Sequence, residues 1–485
     1  MHIIMVLCLV VYTVLLFAVM RMTSKKANNE TYFVGNRKSP WFIVAYGMIG
    51  ASLSGVTLLS VPGDVYKTQF TYYGIVIGYL LGYAVIALVL LPLYYKLQLT
   101  SIYAYLGQRF GRYSHKTGSF FFIISRMLGS ALRMYLVIFV LQEFVFSYWH
   151  IPLWATSVVF IVIILLYTFK GGIKTIVWTD TLQTTFLLLA LVLMIIYIPR
   201  DLHCTLGNMW DKMSSMGYTK MFNTNWHDSN FFLKQIVSGM FITITMTGLD
   251  QDMMQKNLSC KNLPSSQRNM FSFSAILLVI NILFLILGGM LCVYATEKGI
   301  DMSAMQTDRI FPTIAFDYLP PVAGITFVLG LIAAGYSSAD GTLTSLTTVI
   351  CIDFLDMEKM QKTQEEKIRI RRWIHVGISL LFLLIILFFS NFHNDALIRI
   401  IFNVASYTYG PLLGLFSFGL FTKRTLKYEH LTPFIAILSP ILCFILNKYS
   451  AVWFHGYQFG FELLLVNGFL TFVGLWAISS PKQQD

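Results

Sequence analysis

Charge is scarce in this chain. Only 12% of its 485 residues are Asp, Glu, Lys or Arg, and the mean hydropathy is +0.67. An ordinary soluble domain carries about 25% charged residues, so a normal water-facing surface is excluded. Cysteine is sparse as well. Cys8, Cys204, Cys260, Cys292, Cys351 and Cys443 are scattered with no CxxC pair, which leaves neither a disulfide framework nor a thiolate metal site. The nine His are dispersed, no HExxH occurs, and there is no Gly-rich phosphate loop. Zinc-peptidase chemistry and ATP-driven transport therefore have no residues to rest on. The tetrapeptide SLSG at 52–55 is similar to an intramembrane serine protease motif, but Ser52 stands at the position of its Gly and no His is placed to match. No catalytic set supports an enzyme.

What the chain has in abundance is apolar surface: 56% hydrophobic residues, with 40 Phe, 26 Tyr and 9 Trp. The class is a polytopic α-helical membrane protein, with aromatics for packing and interfacial belts. Thirteen apolar spans can be read: an N-terminal span at 3–21, then spans one to twelve at 41–66, 72–96, 117–147, 151–169, 174–199, 232–254, 272–295, 322–350, 372–391, 397–421, 429–447 and 460–480. The N-terminal span lacks a basic segment before it and is followed by Arg21, Lys25 and Lys26. That pattern fits a retained span with its N-terminus outside.

Roughly two thirds of the Lys and Arg fall in alternate loops, at 21–40, 96–116, 170–174, 255–271, 355–372, 422–428 and the C-terminal tail. The positive-inside rule then predicts N-terminus out and C-terminus in, within the cytoplasmic membrane of the cell. The same asymmetry accounts for the net charge of +12 without nucleic acid. Segment 355–372 mixes signs and reads as a solvated amphipathic linker. The outer loop 200–231, with Trp210, Tyr218 and Trp226, is expected to hold short interfacial helices.

Polar residues interrupt five of the spans. Residues 46–66, YGMIGASLSGVTLLSVPGDVY, contain Gly47, Gly50, Gly55, Gly63, Pro62 and four hydroxyls. A Gly- and Ser-weakened segment at membrane depth points to a transport site, although small residues also serve close helix packing. Span six, VSGMFITITMTGLDQDMMQKNL, is interrupted too and lies five spans later, which suggests a five-plus-five inverted repeat. Span three places Arg126 and Arg133 two turns apart on nearly one face. Guanidinium groups suit an anionic solute, while an internal salt bridge or snorkelling is the other reading, above all for Arg126. Span five carries Asp180, and span eight holds Ser337, Ser338, Asp340, Thr342, Thr344 and Ser345. Oxygens at this density suit sodium, although a single hydroxyl in a membrane helix usually bonds back to its own preceding turn.

The motifs YFVGNRKSPWF, VPGDVY, TSIYAYLGQRFGR, GGIKTIVWTD, GLDQDMMQKNL and AAGYSSADGTLTSLTTVICIDF together resemble the sodium/solute symporter family, which includes sodium–galactose, sodium–proline and sodium–sialic acid transporters. The resemblance covers essentially the whole chain. It implies an all-α LeuT-type fold in a single transmembrane domain. The first inverted repeat would occupy 41–199 and the second 232–421, with the extra helix at 3–21 before them and two helices at 429–480 after.

It also implies sodium as the co-transported ion, with no organic cofactor. The partners would be a small solute, sodium and lipid, with no nucleic acid and no oligomer required. The family's principal sodium site maps to carbonyls of Gly50, Leu53 and Ala334 and hydroxyls of Ser337 and Ser338. A second sodium, found in some members, maps to Asp180, Ser338 and Asp340, where those members have hydroxyls near position 340. Substrate positions map to Ser52, Ser54, Thr57 and Arg133, with Tyr72 and Thr245 expected to line the same site.

The glutamine that sialic acid transporters use in span two is not matched, since the region offers only Thr71, Tyr72 and Tyr73. The galactose transporter's acidic residue is missing there, and its gating Tyr in span six is replaced by Met246 or Thr245. A neutral sugar is therefore disfavoured, and an acidic solute such as a sialic acid or another carboxylate is expected. The rival reading is a non-coupled solute channel or a solute-sensing membrane module on the same fold. The sensing version is weakened because no long kinase-like tail follows residue 480.

Overall fold

A computed structural model describes residues 2–25, 28–226, 228, 230–303, 305–391, 397–454, 457 and 459–481. Among the described residues, ten helices are long and apolar enough to cross a bilayer. Two bent helix pairs raise the number to as many as twelve, and Leu463–Ala477 is a shorter apolar helix. Large apolar side chains such as Leu7, Val11, Leu88, Trp154, Leu384 and Phe434 stand exposed on the helix faces. Such outward apolar surface is stable only against lipid.

Both breaks fall where the sequence is weakest. Span one is two helices, Trp41–Ser52 and Gly55–Thr68, bent by 59°. Leu53 (φ −83°, ψ 84°) ends the first half. Its N–H still returns to the Ile49 carbonyl at 2.9 Å, whereas the Ser54 N–H turns to the Ser52 carbonyl at 3.2 Å. The Gly50 carbonyl thereby loses the Ser54 amide that a continuous helix would give it. Pro62 does not cause the break; it is accommodated inside the second half. Span six is likewise Phe232–Gly248 followed by Gln251–Leu258, bent by 66°. Here Asp250 caps the second half, its carboxylate accepting the Asp252 and Met253 N–H groups at 3.0 and 3.3 Å.

The two broken spans share one bundle. Span two (Tyr73–Lys96) packs along the first half of span six, and span seven (Leu263–Glu297) packs on both halves of span one. Span three (Arg112–Trp149), span four (Leu153–Gly171), span eight (Pro321–Phe354) and span nine (Gln364–Phe389) pack on one another beside it. Span five (Ile173–Asp201) lies between the first half of span one and span eight. Among the described residues span eight is the most buried of the long spans, which explains how it tolerates so many polar side chains.

Of two loop expectations, one is met and one changes. Leu206–Ser215 is the short helix expected within 200–231. Segment 355–372 is a linker only as far as Thr363, whose side chain forms a capping box with Glu366 and starts span nine. Arg371 is therefore not solvated; it is buried, stacked 4.1 Å from the Tyr32 ring centroid.

Candidate functional site

Close approach of spans one and five sets the geometry at the first break. Gly50 donates its N–H to Thr184 Oγ1 at 3.0 Å. A Cβ on residue 50 would lie 2.4 Å from that same oxygen, so only glycine lets the two helices meet here. Span eight packs against both halves of the broken span one. Its polar run then separates by partner. Thr342, Ser345, Thr347 and Thr348 bond back to their own helix, as hydroxyls in membrane helices usually do. Ser337 does not; its Oγ donates to Asp180 Oδ1 at 2.8 Å. Ser338 Oγ is buried without a hydrogen-bond partner. A buried unsatisfied hydroxyl costs about 1–3 kcal/mol, a cost that a bound cation would remove. The residues expected for the principal sodium site thus lie on elements in contact, with Gly50 and Leu53 at the break of span one and Ala334, Ser337 and Ser338 buried on span eight.

Beside this lies a network of buried charge. Arg126 grips an oxygen of Asp252 and lies 3.5 Å from Asp250. Asp250 also accepts from Tyr409 at 2.7 Å. Lys256 Nζ is 2.8 Å from Asp180 Oδ2 and 3.6 Å from Asp252 Oδ1. Asp340 accepts from Tyr167 at 2.8 Å and from Gln183 at 3.3 Å. Of the three residues expected to hold a second sodium, Asp180 therefore meets a cation supplied by the chain, Asp340 is held by neutral donors and Ser338 is free. Lys256 counts as a loop charge in the sequence, yet it is only 1% exposed. The sharp bend of span six returns its second half to the bundle, and this hides the residue. Its place in GLDQDMMQKNL, six residues beyond Asp250, was the available signal.

A cavity of about 110 Å³ opens beside the break. Ser52, Ser54, Thr57, Tyr72 and Arg133 all line it. The positive end of Gly55–Thr68 also faces it, since Ser54, Val56 and Thr57 are wall residues. Arg133 is half-buried and has no hydrogen bond or ion pair among the described residues. Arg126 touches the same space, but its charge is met by Asp250 and Asp252. The two arginines of one helix face thus divide, one as structural counter-charge and one facing the cavity. Thr245 is not part of this wall. It bonds to the Phe241 carbonyl at 2.8 Å and lines a separate small pocket with Ser406 and Tyr409. Thr243 and Thr247 face the main cavity instead; four residues apart, they share one helix face, and Thr245 lies on another. Tyr79, Tyr83 and Asn281 also line it. Tyr79, two turns beyond Tyr72, shares a hydroxyl contact with it at 3.1 Å; helical spacing alone could have found it.

Two broken helices and a polar cavity beside the first break suit a secondary transporter. The chain belongs to the sodium:solute symporter family, whose profile matches residues 32–433. It is a sodium-coupled transporter and not an enzyme. It is 25% identical over 461 residues to the sodium/sialic acid symporter NanT of Aliivibrio fischeri, covering 92% of this chain and 88% of that one. It is also 25% identical to the sodium/sialic acid symporter SiaT of Proteus mirabilis, covering 83% and 81%. The fold matches that of a solved, substrate-bound, outward-open sodium-coupled sialic acid symporter with a TM-score of 0.83, at 22% identity and over 97% and 96% of the two chains. The architecture is LeuT-type.

Proposed function

We propose that this protein carries a small organic acid, a sialic acid or another carboxylate, into the cell together with sodium. The observation that carries this reading is Arg133, a guanidinium facing the cavity with no hydrogen bond or ion pair among the described residues. A half-buried guanidinium in a cavity wall attracts an anion, and its planar fork matches a carboxylate with two parallel hydrogen bonds. The hydroxyls of Ser52, Ser54, Thr57 and Tyr72 would orient the rest of the solute, and Thr247 takes the place first assigned to Thr245. The two relatives named for sialic acid support an acidic solute, since sialic acid is a carboxylate.

Sodium would enter first, held by carbonyls of Gly50, Leu53 and Ala334 and hydroxyls of Ser337 and Ser338. By tying span eight to the broken span one it orders the wall that Ser52, Ser54 and Thr57 present to the solute. The bundle then rocks and the site opens inward. The charge asymmetry of the loops supports a cytoplasmic membrane location with the N-terminus outside. Uptake of labelled sialic acid and short carboxylates into proteoliposomes tests the reading. We expect uptake under an inward sodium gradient and none after R133A. Full uptake by R133A would remove the acidic solute, and indifference to sodium would remove the coupling.

A further inference from the structure

We propose that the Lys256 ammonium is a tethered cation standing where a second sodium would otherwise be held, so that this chain carries its solute with one sodium. The proposal rests on the sodium coupling of the family. Lys256 Nζ sits between Asp180 Oδ2 at 2.8 Å and Asp252 Oδ1 at 3.6 Å. Neither oxygen has another hydrogen-bond partner, and all three groups are buried. Two carboxylate oxygens converging on one positive centre is the arrangement that a hard cation such as sodium would need. Here the centre is a side chain that cannot dissociate.

The surroundings fit this filling and leave little else for Asp180. Its other oxygen accepts from Ser337, the residue shared with the principal site. Gly341 makes room for the cluster, since a Cβ there would lie 2.3 Å from Asp252 Oδ1. Arg126 is committed to Asp252 and Asp250, so it cannot replace Lys256 if that ammonium is lost. Asp340 accepts from the Tyr167 hydroxyl, the Gln183 amide and the Gly341 N–H, three neutral donors that stabilise it without a metal. Losing the ammonium would leave Asp180 and Asp252 facing each other with one counter-charge too few. Two adjacent buried carboxylates in that state need a proton or a metal cation between them, and a sodium count tells the two apart.

Counting sodium tests this without knowing the solute. Saturation binding of ²²Na⁺ to the purified full-length chain should give one sodium per chain for wild type, two for K256M and one for K256R. Two sodium ions on wild type, or one on a K256M that still binds sodium, would overturn the proposal. If K256M does not fold, the double variant D180N/K256M removes both charges and should bind one; two would overturn it. No sodium bound to wild type would instead strike the coupling itself, which separates the two failures.

Discussion

Ser338 is the residue on which the principal sodium site can be judged most directly. Its hydroxyl is buried and unpartnered, so replacing it removes an oxygen without breaking a protein hydrogen bond. We expect S338A to raise the half-saturating sodium concentration about tenfold, equivalent to about 1.4 kcal/mol. Uptake measured against sodium concentration checks this, and an unchanged curve would take Ser338 out of the site. Its neighbour Ser337 differs in kind, since it also donates to Asp180. At this scale the sequence was informative where polarity stood out against an apolar helix, as at Asp180, Arg126 and Arg133. It was silent on which hydroxyls would be used up by their own helix. That choice depends on rotamers and neighbours, and six similar residues in span eight went to different partners.

Among the elements, the break in span one depends on how tightly span five seats against it. The Gly50–Thr184 approach leaves no room for a methyl group. G50A should therefore destabilise the chain by about 1–3 kcal/mol, as overpacking does, and trimming Thr184 as well should restore part of the loss. Thermal unfolding of G50A, T184A and the double variant in detergent measures this; a G50A as stable as wild type would show that the approach is not needed. The existence of both breaks was legible from Gly, Ser and polar residues inside apolar spans. Their consequences were not. The 66° bend of span six turns Lys256 from a loop charge into a core one, which a count of residues along a straight helix misses. Thr243 and Thr247 stand at the cavity in place of Thr245, and their four-residue spacing could have shown that they share a face.

On the scale of the whole molecule, apolar span lengths made the membrane class readable, because the bilayer permits few alternatives. The ionic cluster was hidden because it joins residues far apart in sequence: Arg126 from span three, Asp180 from span five, and Asp250, Asp252 and Lys256 around the second break.

If Lys256 takes the place of a second sodium, as proposed, that cluster determines what energy the transporter can draw upon. One sodium entering with one monocarboxylate moves no net charge, so the cycle is electroneutral. The membrane voltage, worth about 2.3 kcal/mol per charge at 100 mV, then neither helps nor opposes uptake. Clamping proteoliposomes at −100 mV with potassium and valinomycin should leave the final accumulation unchanged, whereas a second sodium would raise it roughly 50-fold. With its own lysine in place of a second ion, the chain would concentrate an acid only up to the sodium ratio across the membrane, and would go on doing so in a depolarised cell.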